Sequence, residues 1–537
     1  MKKLSTLIFV CLSLFGKAQF NFQHLYGGVS HERGQTLLET TNNMYLFNGA
    51  TLSYGQGSAD AIFIKNNNQG QIIWTKVYGL PDYDNSEFAI ETNDLGYLGV
   101  GRSSVGVTAG TTDAWIYKTD SAGTLQWSKA YGNAGFDDGF VQAIRTIDNG
   151  YTFIGNTKSV GSGSYDVFLV HTDANGDTLF TRAFGTSESE SGLSVIQTAD
   201  GGYAICGRQQ TFPNGIPESD GLIIKTDGNG DMLWSYIYGD TMWEEFEAIR
   251  ELPNGHLAIS GSTVSFGQGN YDILLLLTDS AGVPLNAFAY GGQHADACYD
   301  LHITSDNSFV FSGYTESFGY GHSLLGSDST NIFLLKADSI GQLVWMITYG
   351  DGLQDEAFRS AKTSDGGYMI SGFTTDYTPA DSTQMLFIKT DSLGFSGCHE
   401  EIVTPITDSD TMNFVSSGFV QSSGVDVVSV NLVEASITTV INDACLFASA
   451  NTLIEEGSIS LYPNPFTSEL NIDFENYNNK NCQVKIVNTN GQIVLEENIF
   501  SSKSINTSNL LPGFYFVIIS NSDQITIKKA LKLTNNE

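Results

Sequence analysis

The sequence predicts an all-β chain whose larger part is a ring of seven similar four-stranded sheets. Three observations predict it: a long repeat, the make-up of the repeating unit, and one strand displaced from the end of the array to its beginning. A Tyr-Gly step recurs at Tyr26, Tyr78, Tyr131, Tyr238, Tyr290 and Tyr349, with Phe184-Gly185 in the remaining place. The spacings are 52, 53, 53, 54, 52 and 59 residues. A period in this range marks units that bury their apolar faces only against their neighbours.

The unit from Tyr78 to Tyr131 reads as four short apolar runs. Phe88-Ala89-Ile90 leads through the turn Asn93-Asp94-Leu95-Gly96 to Tyr97-Leu98-Gly99-Val100-Gly101. A Gly/Ser/Thr-rich loop precedes Ala114-Trp115-Ile116-Tyr117-Lys118, and Asp120-Ser121-Ala122-Gly123 turns into Leu125–Tyr131. Runs of this length separated by Gly and Asp turns predict an antiparallel meander. The second turn recurs at Asn67, Asp120, Asp173, Asp227, Asp279, Asp338 and Asp391, each with Gly three residues on. An aromatic follows four residues after that Gly at Trp74, Trp127, Phe180, Trp234 and Trp345, with Asn286 the exception. Residues four apart on a strand share a face, so these aromatics and the Tyr of the Tyr-Gly step should form stripes between neighbouring sheets.

The seventh turn has no fourth strand after it: Cys398 stands where a Trp belongs. The absent strand is found at the other end, where Phe22 and Tyr26 keep the four-residue spacing. A ring lets the first strand complete the last sheet and removes exposed edges. The reading is therefore a seven-bladed β-propeller over residues 19–397. The repeats resemble a bacterial β-propeller repeat family with a DGGY…G…D…KTD…G…W…YG pattern, over roughly residues 20–397. That resemblance implies a scaffold and no particular activity.

Lys2 and Lys3, the apolar stretch Leu4–Phe15 and the small residues Gly16 and Ala18 predict a signal peptide over residues 1–18. That stretch is short for a membrane span, and no later segment reaches 18 apolar residues, so the mature chain is expected to be soluble. The chain carries 59 acidic and 25 basic residues, a net charge of −34, which argues against nucleic acid or an anionic membrane as partner. Cys206 and Cys298 read as buried small hydrophobes. Cys398 and Cys445 flank a compositionally distinct segment and are expected to pair in an exported protein. That segment, 398–456, is rich in Ser, Thr and Val and reads as a β-rich connector.

From Ser458 the pattern changes to a small β-sandwich, Ig-like in outline: six or seven short strands of alternating polarity. Four motifs stand in order: Tyr462-Pro463-Asn464-Pro465, Gly491-Gln492 within Asn-Gly-Gln-x-Val, Gly513 and Tyr515 within Leu-x-x-Gly-x-Tyr, and the basic last strand with Lys528 and Lys529. Together they resemble the type A C-terminal sorting domain of type IX secretion, over residues 457–537. The resemblance implies Sec-dependent export, delivery by the type IX machinery as partner, cleavage in the linker near 449–456, and release or attachment at the outer surface.

No catalytic motif emerges. The eight histidines fall singly, without zinc spacing, and no nucleophile elbow or P-loop is present. Two repeated polar positions stand out. Glu32, Asp84, Asp138, Glu190, Glu244, Asp296 and Asp355 precede the first strands, and Asp60, Asp113, Asp166, Asp220, Asp272, Asn331 and Gln384 precede the third. Both series should ring one mouth of the propeller. Either each locks a loop by accepting backbone N–H groups, or the mouth takes a cation, with Ca²⁺ the candidate, or a cationic or polyhydroxyl ligand. The longest loop on that face, Gly313–Thr330, carries Tyr314, Phe318, Tyr320 and His322, as a recognition loop on a rigid ring would. The functional expectation is a secreted or surface scaffold that binds a glycan or a protein without catalysis, with a secreted hydrolase or lyase as the alternative.

Overall fold

The computed structural model describes residues 21–104, 110–212, 218–239, 242–320, 329–350, 352–375, 382–410, 412–425, 427–430, 433–437, 439–443, 459–463, 466–474, 482–488, 493–499, 501–511, 513–520 and 525–532. The expected signal peptide lies outside them. The fold is all-β, with no helix among the described residues. Seven five-stranded antiparallel sheets are followed by a three-stranded and a four-stranded sheet.

Sheet 1 runs Glu32–Glu39, Tyr45–Thr51, Asp60–Asn66, Ile72–Gly79, each strand paired with the next. Sheets 2 to 6 repeat this order over 84–131, 138–185, 189–238, 244–291 and 296–349. Sheet 7 takes three strands from 355–389, and its fourth is the N-terminal Phe22–Gly27, with Phe22 opposite Lys389 and Tyr26 opposite Met385. The first strands contact one another in a closed cycle, sheet 1 to sheet 7 and back to sheet 1. Each first strand carries a one-residue bulge at the same place, leaving Gln35, Glu87, Val141, Leu193, Glu247, Tyr299 and Phe358 unpaired in the register. Such a bulge sharpens the twist and re-aims the following side chains.

The repeated turn explains its own Gly. Gly123 sits at φ 78°, which disfavours any side chain with a Cβ, and a Cβ there would lie 2.9 Å from Trp74 of the preceding sheet. The aromatic of one sheet thus packs flat on the turn of the next. Sheet 5, where Asn286 breaks the pattern, uses Phe288 instead, 2.3 Å from a Cβ position on Gly341. The Tyr of the Tyr-Gly step completes the seam. Tyr78, Tyr238 and Tyr290 donate their hydroxyls to the carbonyls of Gly123, Gly282 and Gly341 at 2.6, 2.7 and 2.6 Å. Tyr349 and Tyr26 do the same to Gly394 and Gly70, so the seams on either side of sheet 7 carry the clasp found elsewhere. These rings are buried, Tyr26, Tyr78, Tyr238 and Tyr290 fully so.

The stretch expected as a connector does something different. Glu400–Val403 pairs with the fourth strand of sheet 6, Ile406–Asp410 with that of sheet 5, and Phe414–Ser416 with that of sheet 4. Val420–Ser422, Val427–Ser429 and Val433–Ile437 follow on sheets 3, 2 and 1. Val440–Asp443 then pairs with Phe22–Gly27 in sheet 7. The chain makes one full circuit in reverse order and covers the outer edge of every sheet. The short strands carry few apolar residues in any one place, because each needs only to satisfy a single edge. Cys398, at the start of the circuit, is disulfide-bonded; its expected partner Cys445 lies outside the described residues. Cys206 and Cys298 are free and fully buried.

The C-terminal sheets, Ile459–Tyr462 with Glu469–Phe474 and Lys503–Asn506, and Ile493–Ile499 with Cys482–Asn488, Gly513–Ser520 and Ile525–Lys532, share one core. Phe466, Leu470, Ile472, Val484, Ile486 and Val517 form its centre. Tyr515 is buried against it and donates to the Leu511 carbonyl at 2.6 Å.

Candidate functional site

The inner strands and the turns after them line an open cavity of about 520 Å³ between six of the sheets. Its lining comes from the first strands of six sheets and includes Gln142, Arg145, Arg250, Asp300, His302 and Arg359. The bulge matters here: Gln142, Asp300 and Arg359 each follow the bulged residue directly.

Asp300 organises the polar wall. Its Oδ1 accepts Arg250 Nη2 at 3.0 Å and the Leu301 N–H at 2.8 Å. Its Oδ2 accepts the Ser360 N–H at 3.0 Å and faces His302 Nε2 at 3.2 Å. Burial pushes the Asp300 carboxyl up, but His302, Arg250 and Arg359 outweigh it and hold the group well below the usual carboxylate range. His302 Nε2 also donates to the Ser360 carbonyl at 2.7 Å. Arg359 uses Nη1 alone on the carbonyls of Tyr299 and Phe358, which leaves the rest of its guanidinium edge for the cavity. Arg145 reaches Asn93 Oδ1 at 3.3 Å.

The acids of the lining are differently employed. Glu91 accepts the N–H of Thr41 at 2.8 Å and its hydroxyl at 2.6 Å, and Glu39 clasps Ser364 in the same way. Each latches its sheet to the first turn of the preceding one. Arg250 is committed as well, to Asp300 and to the Ile249 carbonyl at 2.8 Å, so among the lining guanidinium groups Arg359 and Arg145 keep donors beyond these bonds. Deeper in the ring, Glu247 is pushed up to about 7 by burial and by Glu245, against the pull of Arg359 and Arg208.

No nucleophilic triad is formed here. One nitrogen of His302 serves both Asp300 and a carbonyl, and Ser360 Oγ accepts from Ser312 Oγ at 2.9 Å, so no hydroxyl is paired with a free imidazole nitrogen.

The acids expected to ring a mouth are buried rather than open to it. Glu32, Asp84, Asp138, Glu190, Glu244, Asp296 and Asp355 are all buried, none more than 2% exposed, at the seams between sheets. Most bind their own loops: Asp84 accepts the Leu80 N–H at 2.7 Å, Asp296 the Gly292 N–H at 2.8 Å, and Asp138 the Lys158 N–H at 3.1 Å. Glu32 accepts Gly28 N–H at 3.1 Å, and Glu190 the Thr186 hydroxyl at 2.6 Å. Among the described residues no three His, Cys, Asp or Glu side chains gather as a metal-ligand set. Of the loop aromatics, Tyr320 is well exposed and Phe318 packs on the core of sheets 5 and 6; His322 lies outside the described residues.

The cavity residues were legible only in part. Arg145, Arg250 and Arg359 stand singly in strands of different sheets, with no local motif. The available signal lay at Arg250, whose counterparts Leu38, Ile90, Ile144, Ile196 and Ala361 are apolar, whereas Arg145 aligns with Glu39, Glu91, Glu251 and Lys362. Of the sorting-motif residues, Tyr462 ends the first C-terminal strand and Pro463 follows it, Gly513 and Tyr515 lie on Gly513–Ser520, and Lys528 and Lys529 on Ile525–Lys532. Asn464, Pro465, Gly491 and Gln492 lie outside the described residues.

Residues 460–532 match the family described as the secretion system C-terminal sorting domain. Such a domain marks a cargo of type IX secretion, secreted and then attached to the cell surface or released. A stretch of 171 residues is 25% identical to the regulatory protein FlaEY of Caulobacter vibrioides (strain ATCC 19089 / CIP 103742 / CB 15), covering 28% of this chain and 18% of that protein. A solved structure, of TcdB2-TccC3-TEV, aligns over 90% of this chain and 32% of that one at 9% identity, with a TM-score of 0.08, a value that carries no fold assignment. Among the described residues no helix is long and apolar enough to cross a membrane.

Proposed function

We propose that this type IX cargo is a seven-bladed β-propeller, ringed by its own reversed circuit of strands and followed by an Ig-like sorting sandwich, and that it binds an acidic ligand in this cavity without catalysis. The observation that carries the reading is the convergence of Arg145, Arg250, Arg359 and His302, from four different sheets, on one cavity in a chain of net charge −34. In so acidic a protein, guanidinium groups gathered on one cavity, Arg250 and Arg359 half-buried and Arg145 exposed, are a selective feature. A planar guanidinium fork matches a carboxylate or sulfate bidentately. Export of the cargo favours an extracellular ligand, and the guanidinium lining selects an acidic glycan as its class.

The test is binding of the mature chain to a panel of uronate-bearing, sulfated and neutral glycans, repeated with Arg250→Ala/Arg359→Ala. Binding confined to acidic members, weakened at least tenfold in the variant and by added salt, supports the proposal. Binding only to neutral glycans, or binding indifferent to the two arginines, removes it.

A further inference from the structure

At each seam the acid that opens a first strand meets the side chain that opens the third strand of the preceding sheet. Both approach the Gly of the Tyr-Gly step. A Cβ on Gly132 would lie 2.3 Å from Asp113 Oδ1 and 2.5 Å from Asp138 Oδ2. On Gly291 it would lie 1.9 Å from Asp272 Oδ1 and 2.9 Å from Asp296 Oδ2; on Gly185, 2.1 Å from Asp166 Oδ1 and 2.7 Å from Glu190 Oε2. On Gly239 the partners are Asp220 Oδ1 at 2.2 Å and Glu244 Oε2 at 2.8 Å. This is why the step ends in Gly: two carboxyl groups occupy the space of a side chain.

Three of the inward oxygens are buried without a hydrogen-bond partner: Asp113 Oδ1, Glu244 Oε2 and Asp272 Oδ1. Their side chains are 7%, 0% and 2% exposed. An orphaned buried carboxylate oxygen facing a second carboxylate is among the costliest arrangements a fold can hold. We infer that the five acid–acid seams, Asp60/Asp84, Asp113/Asp138, Asp166/Glu190, Asp220/Glu244 and Asp272/Asp296, are proton-binding sites, each holding one proton shared between its two carboxyl groups.

The sequence supports this at the two remaining seams. There the third-strand position carries Asn331, opposite Asp355, and Gln384, opposite Glu32. An amide is the uncharged near-isostere of a carboxylic acid. With one proton at each acid pair, all seven seams carry the same single negative charge.

A metal fits less well. The surroundings supply donors: Gln268 and Gly269 give their N–H groups to Asp272 Oδ2 at 2.9 and 3.1 Å, and Gly292 N–H and Thr315 Oγ1 point at Asp296. A bound cation needs further acceptors instead. Burial, with the like charge of the partner adding, pushes Asp60, Asp113 and Asp296 up to about 6. Asp166, Glu190 and Asp272 are raised as well, chiefly by burial. The other charged groups facing these pairs are also acids: Asp82 beside Asp84, and Asp408 of the outer circuit beside Asp272. Because the folded values lie above the unfolded ones, the folded state binds more protons, and stability falls as pH rises through about 6.

The test follows melting of the full mature chain from about pH 5 to pH 8.5, in chelator and again in calcium, beside Asp113→Asn/Asp272→Asn. Infrared spectra at pH 5.5 and at pH 8 read the carboxylic acid C=O band directly. The expected result is a melting temperature that drops by several degrees as pH rises through 6, unaffected by calcium, with an acid band present at pH 5.5 and lost by pH 8. The variant should lose part of that band and show a shallower drop. A flat pH profile with no acid band would overturn the inference and leave the seams to buried water. A melt raised by calcium at pH 8 and lowered by chelator would overturn it in favour of a metal. If the variant fails to fold, the infrared band of the unmodified chain still decides.

Discussion

Whether the outer circuit of strands is covalently closed should be measurable as stability. Cys398 is disulfide-bonded, and its carbonyl accepts the side-chain amide of Gln23 on the strand Phe22–Gly27. The circuit ends on that same strand, where Asp443 lies opposite His24, two residues before Cys445. A Cys398–Cys445 bond would thus close a loop of 48 residues, both cysteines included, into a hoop around all seven sheets. Closing a loop of that length in the unfolded chain removes about 14 cal/mol/K, or about 4 kcal/mol at 25 °C. Unfolding of the roughly 420 residues inside the hoop carries about 2.1 cal/mol/K per residue, so the loss corresponds to about 4–5 °C in Tm. The assay is guanidinium unfolding of the oxidised chain and of Cys398→Ser/Cys445→Ser, with peptide mapping under non-reducing conditions. The variant should lose about 4 kcal/mol, keep the same native fluorescence, and show a larger m, because its unfolded chain is less compact. Equal free energies, or a map linking Cys398 to Cys482, would refute the hoop.

Four further outcomes are expected. Gly291→Ala should cost about 2–3 kcal/mol in chemical unfolding, because its Cβ would meet Asp272 Oδ1 at 1.9 Å; Gly366→Ala, at φ 89° with nothing closer than 3.9 Å, should cost only about 1 kcal/mol. Tyr290→Phe should cost about 1–2 kcal/mol, since the Gly341 carbonyl loses its buried donor, and an unchanged midpoint would discount the clasp. Deleting Phe20–Tyr26 should lower Tm sharply, as it removes the fourth strand of sheet 7 and the strand that receives Val440–Asp443. Deleting residues 457–537 should hold the protein in the periplasm, checked by cell fractionation; display without that segment would contradict its role as sorting domain.

The sequence by itself determined the repeat, the strand content of each unit and the displaced first strand, because each rests on local chemistry: Asp and Gly in tight turns, alternating apolar residues, and aromatics four apart. It also marked the sorting domain, whose motifs lie close together along the chain. Tertiary structure decided the rest. The Val- and Ser-rich stretch after Cys398 resembles a linker because its strands are three to five residues long and each pairs with a distant partner, Tyr349 opposite Glu400 at the near end and Gly27 opposite Val440 at the far end; no local pattern records such pairing. The repeated acids were visible as a series, but their burial was not, since a carboxylate that faces solvent and one that faces a second carboxylate across a seam look alike in sequence. Arg145, Arg250, Asp300, His302 and Arg359 meet only because the closed cycle of first strands brings the ends of separate sheets to one cavity, and a bulge in those strands turns some of the side chains inward.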